Sequence, residues 1–137
     1  MKRVTGLGGV FFKAKDPNKL AVWYREHLGI PVGNGSANFA WRTMPDPKRR
    51  GLTVWAIFPK RSDYFGPAAN SFMLNYRVKD LDRLLKQLRK EGVAVDDKVE
   101  ATDYGKFGWA TDPEGNRIEF WEPPESDEVP KPNLPSE

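Results

Sequence analysis

In WATDPEGNRIEFWEP, residues 109–123, a single carboxylate, Glu119, falls between Arg117 and Trp121 on one face of a strand-like run. A carboxylate so placed has three uses. It can pair with an arginine such as Arg77 or Arg117, accept hydrogen bonds from a ligand, or act as a general base with a raised pKa. No second acid or base stands beside it in the sequence. The rest of the chemical inventory is thin. The chain has no cysteine, which removes thiol nucleophiles, thiolate zinc sites and disulfides together. Its one histidine, His27, cannot build a site that needs two or three imidazoles within one chain. His27 falls in the last turn of a predicted helix, where an imidazole complements the dipole.

Those residues need a scaffold, and the apolar spacing supplies one. DPNKLAVWYREHLG opens on Asp16 as N-cap with Pro17 at the first helical position, carries Leu20, Trp23, Tyr24 and Leu28 on one face, and stops at Gly29. DLDRLLKQLRKEG opens on Asp80, spaces Leu81, Leu84, Leu85 and Leu88 as one helical stripe, and ends at Gly92. Strand-like runs precede each helix, GGVFFKAK and SFMLNYRVK. SANFAWRTM and LTVWAIFP follow the first; VAVDDKVEATDYG, KFGWATD and NRIEFWEP follow the second. DPEGN joins the last two as a hairpin turn.

The order reads as β-α-β-β-β, twice. At an offset of 64, Asp16 meets Asp80, Phe12 meets Tyr76, Leu20 meets Leu84, and Val54 meets Ile118, while the closing glycines 29 and 92 slip by one. Internal duplication explains this best. One domain is expected over residues 1–123, with module one at about 5–60 and module two at about 70–123. Residues 124–137 are proline-rich without apolar period, which predicts a flexible tail.

Composition narrows the function classes. The net charge of +3 could suit an acidic partner, but the basic residues are scattered over loops and one helix, so no nucleic acid is expected. No run approaches 18 apolar residues, and MKRVTGLGGVFF is a poor signal peptide, so no membrane partner and a cytoplasmic location are expected.

The doubled unit, with its strand-Asp-helix-Leu-Gly opening and the closing DPEGNRIEFWEP, resembles the vicinal oxygen chelate superfamily over residues 5–123. That family includes glyoxalase I, extradiol dioxygenases, fosfomycin-resistance enzymes and bleomycin-resistance proteins. The resemblance implies an α+β fold of two βαβββ modules forming paired half-barrels around a cavity. It also implies a homodimer. The family's metal ligands fall at four positions that here read Gly9, Trp55, Met73 and Glu119. Glycine offers no donor, indole only an N–H, and a thioether is soft, so no metal cofactor is expected there. Displaced ligands such as Asp103 or Asn75 are the route by which one would be held.

Strand alternation from those positions gives a cavity face. It carries Phe11 and Lys13 in the first strand, Thr53, Trp55 and Ile57 in the last strand of module one, Met73, Asn75 and Arg77, and then Arg117, Glu119 and Trp121. Val10, Phe12, Ala14, Tyr76, Val78, Ile118 and Phe120 fall beneath the helices. Trp41, Trp109 and Phe39 are candidates to stack on a ligand or to pack. Lys13 is either a buried amine or a rim residue, and Trp55 either a filler or a wall. The expected function is metal-independent binding of a small hydrophobic or aromatic molecule by Phe11, Lys13, Trp41, Trp55, Met73, Asn75, Arg77, Trp109 and Trp121. The alternative is a lyase, isomerase or dioxygenase-like enzyme with Glu119 as catalytic base or displaced metal ligand.

Overall fold

Both helices begin where an aspartate can cap them. In the computed structural model, which describes residues 3–67 and 69–124, α1 runs Pro17–Leu28 and α2 runs Leu81–Lys90. The Asp16 carboxylate accepts from Lys19 N and that of Asp80 from Arg83 N, each at 3.1 Å. Gly29 closes α1 in the left-handed region at φ 67°, its N–H reaching Arg25 O at 3.2 Å.

Seven strands accompany them: β1 Val4–Ala14, β2 Ser36–Arg42, β3 Arg50–Pro59, β4 Phe72–Val78, β5 Ala94–Thr102, β6 Gly105–Thr111 and β7 Arg117–Glu122. They form one mixed sheet in the order β2-β3-β1-β4-β7-β6-β5. Each module pairs its first strand parallel with its last, β1 with β3 and β4 with β7. The antiparallel β1–β4 pair joins the halves. This is the expected α+β fold, with one difference. Module two has three strands after its helix, but module one has two, and only a single Gly33–Ser36 bridge stands before β2.

The closing motif is held by its first residue. Asp112 accepts from the backbone N–H groups of Glu114 and Asn116, both at 2.9 Å, and from the Asn116 amide at 3.0 Å. Gly115 takes φ 85°, which a β-carbon disfavours. These bonds set the β6–β7 register, in which Trp109 faces Glu119.

The two helices bury unequal stripes. Leu81, Leu84 and Leu85 of α2 pack with Val78, Ala110 and Phe120. On α1 only Ala21 is buried, against Val32 and Ile57, with Leu20 and Tyr24 alongside. Trp23 and Leu28, expected on the buried face, are 48% and 60% exposed. Phe12, Ala14, Tyr76, Val78, Ile118 and Phe120 lie under the helices as the alternation predicts. A third cluster, Phe11, Ala56, Phe65, Met73 and Trp109, occupies the opposite face, where the two halves of the sheet meet.

Candidate functional site

Strand register decides which side chains meet there. Asn75 of β4 lies opposite Glu119 of β7, and Phe11 of β1 lies opposite Ala56 of β3. Phe11 and Asn75 are 64 apart, but their partners Ala56 and Glu119 are 63 apart, so the duplication slips by one before the last strand of each module. The counterpart of Glu119 is therefore Ala56, and the expectation for Trp55 is wrong. A one-residue slip sends every side chain of the strand to the other face. Trp55 packs edge-on to Phe12 and Tyr24 with ring centroids 5.1 and 5.0 Å away, beneath α1, and Ile57 goes with it. Val54, Ala56 and Phe58 take the cavity face instead.

The cavity, of about 350 Å³, is walled by Phe11, Val54, Phe58, Phe107 and Trp121, with Asn38, Tyr64, Asn75 and Glu119 as polar members. Most of that wall is carbon with a few convergent polar groups, the make-up of a small-molecule site. Phe107 and Trp121 lie parallel, centroids 6.1 Å apart and planes 4° apart, and the Trp121 indole N–H is tied to Tyr104 O at 2.7 Å. Tyr64 stacks on Phe58 at 5.6 Å.

Glu119 is 2% exposed, and three neutral donors converge on it. The Tyr64 hydroxyl and the Trp109 indole N–H, the latter at 2.9 Å, both donate to Oε2, and the Asn75 amide donates to Oε1 at 2.5 Å. Burial pushes the carboxyl above its usual range; the three donors and the Arg117 guanidinium pull the other way without cancelling it. Burial and then the adjacent Glu119 charge drive the Tyr64 phenol far above its ordinary range, so it stays a donor. An ionised carboxylate has about four acceptor directions. Three are filled, which leaves one on Oε1.

The arginines do not pair with it. Arg117 donates to Asp96 Oδ2 at 2.7 Å and to Tyr64 O at 2.5 Å, with its guanidinium 5.0 Å over the Trp109 ring. It thereby pins the loop that carries Tyr64. Arg77 lies between Trp121 and Trp41, 4.9 and 5.5 Å from their rings, and lines a separate cleft with Trp41.

Of the residues expected to bind ligand, Phe11, Asn75 and Trp121 line the cavity beside Glu119. Met73 and Trp109, 0% and 1% exposed, lie beneath its wall. Lys13 points to a groove beside the start of α1, its ammonium 5.3 Å over Phe65, while Trp41 lies outside the cavity and Trp55 on the other face. Sequence reasoning missed Val54 and Ala56 because it carried the 64-residue offset through the slip that Gly29 and Gly92 already betray. It missed Tyr64 because nothing in a loop between modules marks which aromatic folds inward.

The family's metal positions do not suit a hard divalent cation. A β-carbon on Gly9 would stand 2.8 Å from the Phe11 ring, so no ligating side chain fits without displacing it. Ala56, the counterpart of Glu119 once the slip is counted, offers no donor, Met73 is a buried thioether, and the Glu119 oxygens already hold three donors. Asp103 is exposed in the β5–β6 turn and does not line the cavity. No cluster of three or more His, Asp or Glu able to hold a metal occurs among the described residues.

Comparison with known proteins agrees with the fold. The methylmalonyl-CoA epimerase of Streptomyces coelicolor, solved with 2-nitronate-propionyl-CoA, superposes with a TM-score of 0.65 at 15% identity, covering 88% of this chain and 98% of that one. The methylmalonyl-CoA epimerase of Mycobacterium tuberculosis gives 0.59 at 21% identity, covering 90% and 91%. A structure described as NAD-dependent benzaldehyde dehydrogenase from Legionella pneumophila gives 0.55 at 17%, covering 85% and 98%. A search of curated proteins returns no match. No helix among the described residues is long and apolar enough to cross a membrane. The family model described as Glyoxalase-like domain matches residues 9–121, and with that span matched the chain belongs to the glyoxalase-like family of the vicinal oxygen chelate superfamily.

Proposed function

We propose that the protein binds a compact, largely apolar molecule in this cavity without a metal, and that Glu119 accepts a hydrogen bond from it. The observation that carries this reading is the incomplete filling of the carboxylate: three protein donors hold it and one acceptor direction is left over. A volume of about 350 Å³ sits near the low end of ligand pockets, roughly 300–1,000 Å³. Flat ligands suit the parallel Phe107 and Trp121 rings. The test is tryptophan quenching with a set of small aromatic compounds bearing an N–H or O–H. Saturable quenching is expected in the native chain and lost in Val54→Trp, which fills the cavity from its wall. Equal affinity in both chains would place binding elsewhere.

A second reading makes Glu119 a general base. The upward shift of its pKa favours this, because a carboxylate held above its usual range is a stronger base at neutral pH. Epimerases sharing the fold fit that reading as well. The two readings separate in Glu119→Gln: a binding site keeps its ligand with altered affinity, whereas a base loses solvent-proton exchange into the bound compound.

A further inference from the structure

Buried charges are as a rule matched by a counter-charge or a metal ion. Glu119 is 2% exposed, yet its hydrogen-bond partners among the described residues are the neutral side chains of Tyr64, Asn75 and Trp109. Arg117, whose charge reaches it through space, is bonded instead to Asp96 Oδ2 at 2.7 Å. Arg77 lies over Trp121 and lines a separate cleft. No lysine, arginine or histidine is among the described residues that line the cavity. A second source of negative potential stands beside the carboxylate. Asn75 turns its N–H₂ to Glu119 Oε1, and its own Oδ1 is buried and accepts from no group among the described residues. The negative end of an amide dipole is thus left uncompensated at the same wall. We propose that the cavity is built for an organic cation: an amine in its ammonium form, carried on a flat apolar body, whose N–H donates to Glu119 Oε1. This rests on the reading that a small molecule occupies the cavity against Glu119, and adds to it the sign of the ligand's charge.

The walls suit that sign. Phe11, Phe58 and Phe107 line the same cavity as the carboxylate. Aromatic rings carry negative potential on their faces, so such walls stabilise a cation that aliphatic walls would leave without solvation. An ammonium at Oε1 makes the hydrogen bond charged at both ends, which is the strong kind. It also favours the ionised carboxyl and so counters the burial that disfavours it. A neutral donor fills the same acceptor direction but leaves the buried charge unmatched. An anionic head meets a carboxylate and no cation along the cavity's described lining.

Calorimetric titration of the full chain near neutral pH with benzylamine, benzyl alcohol and benzoate tests this, because the three share a ring and differ in the charge of the head. Benzylamine is expected to bind about tenfold or more tighter than benzyl alcohol, the usual gain for a hydrogen bond to a charged group, and benzoate is expected not to saturate. In Glu119→Gln, with an unfolding curve confirming that the variant folds, benzylamine is expected to fall to the affinity of the alcohol. Benzyl alcohol or benzoate binding the native chain as tightly as benzylamine overturns the proposal while leaving the cavity as a binding site. A preference for the amine that persists in Glu119→Gln overturns it too. Saturation by none of the three removes the reading of an occupied cavity along with it.

Discussion

Replacing Glu119 by alanine and by glutamine gives two different answers if the carboxylate is the shared acceptor of three donors. Alanine strands the Tyr64 hydroxyl, the Asn75 amide and the Trp109 indole, and a buried donor without a partner costs about 1–3 kcal/mol. Tyr64 is half-buried on the cavity wall, so water can reach it, whereas Asn75 and Trp109 are each 1% exposed and are not reached. The net loss is therefore about 3–5 kcal/mol, combining two unrelieved donors near the lower end of their cost with the lost side-chain volume. Glutamine keeps the shape. Its amide oxygen serves Tyr64 and Trp109, and its N–H₂ meets Asn75, whose Oδ1 is buried without a partner and comes into place by a half-turn of the carboxamide. A change within about 1 kcal/mol follows.

The two chains also differ with pH. A carboxyl whose pKa is raised by folding binds its proton more tightly in the native state, so stability falls as pH climbs from the ordinary value of 4.5 through the folded pKa, then levels. Glu119→Gln lacks that fall and gains on the native chain across the same window. Urea unfolding read by tryptophan fluorescence, with m unchanged and the midpoint compared at pH 4 to 8, measures both effects. An alanine variant as stable as the glutamine one would refute the three-donor account, and a difference flat in pH would refute the upward shift of the carboxyl by burial.

Two further outcomes follow from geometry elsewhere. Gly51→Ala drives a methyl to within 2.2 Å of the Trp41 ring, so the ring must leave and its bond to Thr53 is lost; thermal denaturation is expected to show about 1–3 kcal/mol of destabilisation. Arg3 grips Glu91 through two bonds of 3.0 and 2.7 Å and lowers its pKa from 4.5 to about 2. That contribution is present above the ordinary pKa and fades as pH drops through about 2, so Glu91→Gln should flatten the acid side of a midpoint-versus-pH curve.

Much of this architecture was legible from composition-independent signals. Asp16 and Asp80 cap helices, DPEGN turns the last hairpin, and the period-two pattern in β4 and β7 correctly put Asn75 and Glu119 on one face with Tyr76 and Phe120 on the other. The site was legible in half. Alternation within a strand is fixed by backbone geometry, but alignment between distant strands rests on register, and a single-residue slip turned Trp55 from wall into helix-side core. Tyr64 was invisible for a different reason: its inward position is fixed by Arg117 holding its carbonyl, a contact spanning the sheet. Trp109 looked like a stacking ring and is instead a buried donor.

The unequal helices set an order of local opening. With three leucines seated, α2 holds β6 and β7 to a continuous core, while α1 is held by little more than Ala21 and its half-buried neighbours. Amide protons in α1 and β2 should therefore exchange through shallow fluctuations, and those of α2, β6 and β7 only in near-global ones. The cavity draws Phe11, Val54 and Ala56 from the looser half and Asn75, Glu119 and Trp121 from the firmer one. Occupancy then acts as a rivet, slowing exchange chiefly in the half that breathes.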